Sequence, residues 1–332
     1  MSEALLAVEE VTRRFGGGRS LLGGARPAVH AVQAVSFTVR RGETLGIVGE
    51  SGCGKSTLAR MLVGLDRPSD GAIRFDGDDI TGLRGQQRRA LARRVQYVFQ
   101  DPLSSLNPRK TIRQILEAPL RHLLGMAKAE RESRLEELME AVRLRPEFLE
   151  RYPHEFSGGQ AQRIGIARAL AAAPELIVLD EPVSALDVSV QAQVLGVLRD
   201  LKARYDLTYL FISHDLAVVE SVSDRVAVMY FGRIVEEGAS GRLFRQPAHP
   251  YTRLLLSAAP IPGKRSMRGE EEIAELPDPL APPPGCAFAA RCARASALCR
   301  EARPTLSSGG AGAFACHHPL VEDADHSDRG LR

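Results

Sequence analysis

Residues Thr44–Gly49, TLGIVG, form an apolar run that stops at a glycine cluster, GESGCGKST (Gly49–Thr57); beyond it Leu58, Met61, Leu62 and Leu65 recur at helical spacing. A strand that is apolar along its whole length is one buried on both faces, so this stretch demands a strand, a tight loop and a helix in that order. The loop fits G-x-x-x-x-G-K-[ST] and stands where that motif must stand, between strand and helix. Its glycines allow successive backbone N–H groups to turn inward around a phosphate, and the helix N-terminus adds positive potential. Lys55 is placed to reach β and γ oxygens, and Ser56 to ligate Mg²⁺. Gly49, Glu50, Ser51, Gly52, Gly54, Lys55, Ser56 and Thr57 are therefore a candidate nucleotide site. Cys53 belongs to the same loop, with a side chain expected to point away from the phosphates.

The rest of the chain reads as a frame for this unit. Alternation at Leu6 and Val8, and again at Val35, Phe37 and Val39, predicts half-buried strands of a small antiparallel layer, joined by a glycine-rich loop, GGGRSLLGGARP. Between Thr111 and Val142 the pattern is helical, with Leu135, Leu138, Met139 and Val142 on one face. Strand and helix then alternate: LIVLD, a helix through Val190, Val194 and Leu198, the strand YLFIS, and RVAVMY. That order predicts an α/β fold, a parallel sheet wrapped by helices and interrupted by a helical insert at about residues 101–165. At 332 residues the chain is expected to hold two domains, or one with large appendages. We divide it into a main domain, 1–242, and an extension, 243–332, where composition turns to proline, glycine and alanine and LPDPLAPPPG reads as a linker. The final residues, DADHSDRGLR, are expected to be disordered.

Charge and hydropathy lend no support to several classes of function. The net charge is +3, and the densest basic stretch, RGQQRRALARR (Arg84–Arg94), reads as a solvated helix face, so no nucleic-acid partner is expected. MSEALLAVEE carries acids where a secretory leader would carry basic residues. The most apolar segment, IARALAAAPELIVL, is broken by Arg168, Pro174 and Glu175 and falls short of the roughly 18 apolar residues a spanning helix needs. The reading is a cytosolic chain without a membrane span.

The strand LIVLDE ends in two carboxylates at the sheet edge where open parallel sheets bind ligands. Asp180 is expected to hold Mg²⁺ through water. Glu181, pointing the opposite way, is expected to face a water attacking the γ-phosphate. With FSGGQ (Phe156–Gln160), these motifs resemble the signature set of the ATP-binding cassette (ABC) family of P-loop NTPases. The resemblance extends to Gln100 in YVFQDP as the Q-loop, also a Mg²⁺ ligand, to Ser184–Asp187 (SALD) as the D-loop, and to His214 in ISHD as the switch histidine. It implies two subunits packed head to tail around two ATPs, with Ser157, Gly158, Gly159 and Gln160 of one chain facing the γ-phosphate held by the other. Phe15 is the candidate for stacking on adenine.

The strings QDPLSSLNPR, RYPHEFSGGQ, DEPVSALDVSVQAQVL and HPYTRLLLSAAP resemble the ATPase subunits of dipeptide and oligopeptide importers, a group that also includes nickel importers, and most nearly the second, F-type ATPase of a heteromeric pair. Ala161 departs from the arginine or lysine usual after the signature glutamine. The resemblance implies membrane permease subunits, a paralogous ATPase or a second copy as partner, an extracytoplasmic substrate-binding protein acting indirectly, and a place on the cytoplasmic face of the membrane. A nickel-complex importer is the alternative; an exporter ATPase, or a soluble cassette protein of translation or repair, fits the strings less well.

Four of five cysteines fall in the extension: Cys286, Cys292, Cys299 and Cys316. A reducing cytosol disfavours disulfides, which leaves metal or redox roles, yet C-x5-C-x6-C-x16-C matches neither a zinc knuckle nor a ferredoxin run. The extension of the resembled ATPases typically carries such a set, in some members with a 4Fe-4S cluster. The order of readings is iron–sulfur cluster, then structural Zn²⁺, then free thiols, with His317 and His318 as possible substitute ligands. A proline-rich extension too small for much of a core would gain stability from such a clip.

Overall fold

The computed structural model describes residues 4–17, 27–258, 277–309 and 312–320. The tail 323–332, expected to be disordered, and most of the glycine-rich loop lie outside them. Strands β1 (Ala4–Gly16) and β2 (Ala28–Arg40) pair antiparallel, with Val8 opposite Phe37 and Val11 opposite Val35. The apolar run becomes β3 (Thr44–Val48), buried throughout, and leads into α1 (Lys55–Leu62). Strands β4 (Asp70–Phe75) and β5 (Asp78–Asp79) complete a four-stranded antiparallel layer in the order β2-β1-β4-β5. The arginine-rich stretch forms α2 (Gly85–Arg94), exposed apart from Leu91 and half-buried neighbours, and precedes β6 (Val95–Val98). Arg94 at its end pairs with Glu175 and Asp76.

A helical block follows: α3 (Pro102–Ser105), α4 (Ile112–His122), α5 (Lys128–Ala141) and α6 (Gly158–Leu170). Thr111 starts α4 with a capping box, its hydroxyl accepting from the Gln114 N–H while the Gln114 side chain accepts from the Thr111 N–H. The alternating half supplies β7 (Leu176–Asp180), α7 (Val188–Tyr205), β8 (Thr208–Ser213), α8 (Leu216–Val222), β9 (Arg225–Tyr230) and β10 (Arg233–Ala239). Beyond it come α9 (Ser240–Leu243), α10 (Pro250–Ala258), α11 (Ala297–Glu301), β11 (Ser307–Gly309) and β12 (Gly312–Phe314).

The main sheet runs β11-β12-β10-β9-β3-β8-β7-β6; β9, β3, β8, β7 and β6 are parallel and the other three antiparallel. Period-two alternation explains why its central strands are apolar on both faces. Leu45, Ile47, Val178, Leu210 and Ile212 pack with α1 and the antiparallel layer, whereas Ile177, Leu179, Tyr209 and Phe211 pack with the helical side.

The extension does not stand apart from this core. β12 pairs with β10, Glu236 opposite Phe314. Phe288 is buried against Tyr230 and Tyr251, each ring centroid 5.4 Å away, and those two tyrosines lie 4.4 Å apart. A segment with little core of its own thus shares that of its neighbour. The turn into α10 is fixed by the buried Glu236 carboxylate, which accepts the N–H groups of Ala248 at 2.7 Å and His249 at 2.8 Å. His249 Nδ1 accepts from the Tyr251 N–H at 3.0 Å, and burial pushes the ring's pKa down to about 4.

Because His249 is neutral in the fold but titrates near 6.5 when unfolded, the unfolded chain binds the extra proton between those values. Stability is therefore expected to fall as pH drops from about 6.5 towards about 4, by at most about 3 kcal/mol from this group. Chemical unfolding at pH 7.5 and 5 checks this. His249→Asn keeps an acceptor for the Tyr251 N–H without titrating, so its loss between the two pH values should be smaller. That comparison also separates His249 from Glu236, whose carboxyl burial pushes up.

Candidate active site

The carboxyl ends of β3, β6, β7 and β8 open on one cavity of about 620 Å³, where Lys55, Ser56, Gln100, Glu181 and His214 meet. A larger cleft of about 980 Å³ over α2, between Arg89 and Glu175, holds none of the motif residues. The loop after β3 earns its curvature at Gly54, which caps α1 at φ 104° in the left-handed region; a Cβ there would lie 2.2 Å from the Ala31 carbonyl oxygen. Lys55, buried, turns its ammonium back on the loop and donates to the carbonyls of Gly49 at 2.7 Å and Glu50 at 2.9 Å. It is held by neutral acceptors that phosphate oxygens can replace.

Beside it, Ser56 Oγ donates to Asp180 Oδ1 at 3.1 Å, and the Tyr97 hydroxyl donates to Asp180 Oδ2 at 2.5 Å. Burial pushes the Asp180 carboxyl up, opposed by those two hydroxyls, and burial followed by Asp180's own charge pushes the Tyr97 phenol up. Tyr97 thus stays protonated and fixes which Asp180 oxygen faces Ser56. The donor set of Ser56 and Asp180, with Gln100 at the same cavity, suits a hard cation such as Mg²⁺.

Glu181 is in the left-handed region, φ 48°, a conformation that costs a non-glycine residue about 1–3 kcal/mol. Its N–H donates to the Ile212 carbonyl at 2.9 Å, and its own carbonyl accepts from Ser184 Oγ at 3.1 Å. The kink turns the carboxylate into the cavity. There Oε2 accepts from Gln100 Nε2 at 3.0 Å and Oε1 lies 3.2 Å from His214 Nδ1. Three strand ends are drawn together on one carboxylate.

Other predicted residues lie elsewhere. Ser157 caps α6, accepting the Gln160 N–H at 3.4 Å, and Ser157, Gly158, Gly159 and Gln160 are absent from the cavity of their own chain. Ala161 is fully buried. Phe15 is exposed, with the Arg13 guanidinium 4.4 Å over its ring; the cavity is lined instead by its strand partner Val29, by His30 and by Phe231. Cys53 is buried outside the lining. Sequence reasoning missed Tyr97, His30, Phe231 and Pro279, none of which sits in a recognisable motif.

The four extension cysteines, all free thiols, line a common cavity of about 10 Å³, room for about one water. His317 Nε2 is 3.1 Å from the Ala302 carbonyl and His318 Nε2 2.8 Å from Ser296 Oγ, so both rings are engaged and the thiols are the available donors. Burial pushes Cys286 up and Cys316 up to about 11, so as free thiols they hold their protons at neutral pH. Among the described residues no three Cys, His, Asp or Glu side chains are arranged to hold a metal ion. The donor chemistry suits a soft metal; the spacing of the thiols as they stand does not.

Residues 32–184 match the ABC transporter family, and residues 235–299 match the oligopeptide/dipeptide transporter C-terminal region. The chain is 48% identical over 320 residues to the oligopeptide transport ATP-binding protein AppF of Bacillus subtilis, covering 95% of this chain and 97% of that one. It is 48% identical over 289 residues to the dipeptide transport ATP-binding protein DppF of Escherichia coli, covering 87% and 86%. Among solved structures, a dimeric ATP-binding cassette, MJ0796, in a post-hydrolysis state with ADP and Pi, is 28% identical with a TM-score of 0.63, over 71% of this chain and 98% of that one. The chain therefore belongs to the ABC transporter ATPase family, in its oligopeptide/dipeptide transporter branch.

Proposed function

We propose that this chain hydrolyses ATP to energise import of di- or oligopeptides through a separate membrane permease. The observation that carries the reading is the cluster of Gln100, Glu181 and His214 across one cavity from Lys55 and Ser56. ATP enters with its phosphates on the loop Gly49–Thr57, where Lys55 exchanges loop carbonyls for β and γ oxygens. Ser56, Asp180 and Gln100 would hold a Mg²⁺ bound with the nucleotide, which would supply neutralisation of phosphate charge. Glu181 orients the attacking water and takes its proton, and His214 with Nδ1 on that carboxylate turns its other nitrogen towards the γ-phosphate. Positioning and electrostatics account for most of the rate in such transfers.

Two chains, this one with a paralogue or with a second copy, close around the nucleotides. The absence of Ser157–Gln160 from the chain's own cavity supports that reading, as does Val188, a large apolar residue left 82% exposed beside SALD. Closure passes through Gln100 to the helical subdomain at about 101–165 and from there to the permease. The main domain spans 1–242 and the extension 243–332. The peptide cargo is supported by the names of the relatives, and a place on the cytoplasmic membrane face by the permease it would serve; among the described residues no helix is long and apolar enough to cross a membrane.

Glu181→Gln is expected to lower turnover by roughly two to four orders of magnitude while ATP still binds. Near-normal turnover in a phosphate-release assay would remove Glu181 as the base. Lys55→Ala should instead weaken nucleotide binding itself, and unchanged affinity for a fluorescent ATP analogue would refute the phosphate role.

For the extension, the reading of a metal, an iron–sulfur cluster first and structural zinc second, rests on the donor chemistry of four thiols alone; their spacing around a cavity of about 10 Å³ would have to open to admit it. Roughly four irons and four sulfides per anaerobically purified chain, with absorption near about 400 nm that is lost in Cys286→Ser or Cys299→Ser, are expected. About one zinc and no colour would make it a structural clip. No metal at all would leave the cysteines as free thiols.

A further inference from the structure

We propose that Arg291, in the extension, is a positioning residue for the phosphate loop. Its guanidinium reaches across the molecule to Glu50, the second residue of that loop, with Nη2 2.8 Å from Oε1 and Nη1 2.9 Å from Oε2. This is a two-pronged pair, the strongest geometry open to these groups. Arg291 is largely buried, 14% exposed, lies over the rings of Tyr230 and Phe288 at 5.8 and 5.7 Å, and touches the Tyr230 hydroxyl at 3.4 Å. The guanidinium is thus fixed by aromatic packing before it meets the carboxylate.

Glu50 is held through its backbone as well as its side chain. Its N–H donates to the Tyr251 hydroxyl at 3.1 Å, and its carbonyl accepts from the Lys55 ammonium at 2.9 Å. Tyr251 and Arg291 both belong to the segment after residue 242, so this segment grips the backbone and the side chain of one loop residue. A third contact, the His30 N–H donating to the Pro279 carbonyl at 3.1 Å, ties the linker to the same cavity wall. A carboxylate on the phosphate loop opposes a polyanion, and Arg291 cancels that charge where it stands. The extension therefore sets how strongly the loop takes ATP, through Glu50 and independently of what the neighbouring cysteines hold.

The inference rests on the nucleotide reading of the loop, which Lys55→Ala tests separately. Arg291→Ala in the full chain is expected to weaken binding of a fluorescent ATP analogue roughly tenfold, about 1.4 kcal/mol, and to raise KM for ATP with kcat within about twofold. Arg291→Lys, which keeps the charge but not the fork, should fall between. In a Glu50→Gln background the two-pronged charged pair that holds the loop is already broken, so adding Arg291→Ala should cost clearly less than it does in the unaltered chain. Unchanged affinity in Arg291→Ala overturns the proposal. So does an equal loss with and without Glu50→Gln, which would show that Arg291 acts other than through Glu50. The unfolding midpoint of each variant identifies a disrupted extension; if Arg291→Ala fails to fold, Arg291→Lys against Glu50→Gln carries the same comparison.

Discussion

The Lys55 ammonium is the constraint on which the rest is built. A cation this buried is costly unless polar groups surround it, and here two loop carbonyls and no carboxylate do so. Neutral partners leave the net positive charge uncancelled, so the loop is pre-set for an anion. To hold that arrangement the loop must start at a rigid strand end and finish at a helix N-terminus, and β3 and α1 supply both. The two hydrophobic layers on either side of the sheet keep that strand end fixed.

Opposite the cation the sheet edge gathers the acids. Asp180 is tolerated in a buried position because two hydroxyls, from Ser56 and Tyr97, satisfy it. Glu181 sits one residue further, in a strained backbone state that an isolated strand end would not adopt. The strain is held by the Ile212 carbonyl and by the turn through Ser184, both parts of the surrounding frame. Two adjacent carboxylates thereby take different surroundings, Asp180 against the Ser56 and Tyr97 hydroxyls and Glu181 towards the open cavity. The strained turn and the neighbouring strand ends decide that division more than the residue type does.

The extension changes from an appendage to a component of the site once its aromatic anchor is seen. Tyr230, Tyr251 and Phe288 bring together β9, α10 and the segment before Cys292, and on that base Arg291 and the Tyr251 hydroxyl reach the phosphate loop. Proline-rich composition gave the expectation of a segment with little core of its own. Its stability comes from the apolar surface of the main domain and from strand pairing with β10, two non-local sources that composition does not register.

Phosphate chemistry needs contiguous residues, because a cradle of backbone N–H groups can be made only by successive peptides; Gly49–Thr57 is therefore readable as a string. The same holds for Asp180 and Glu181 at the end of an apolar strand, and for the alternation that predicts the α/β order. Those features the sequence by itself determined. Tyr97 on Asp180 and Arg291 on Glu50 join residues 83 and 241 positions apart, and no local pattern marks either pair. The exposure of Phe15, the seclusion of Ser157–Gln160 from their own cavity and the gathering of four thiols around one small void are likewise consequences of chain crossings. Only the tertiary structure decided them, because long-range partners are selected by packing of whole layers, and a tyrosine or an arginine looks the same in sequence whether or not such a layer brings it to a carboxylate.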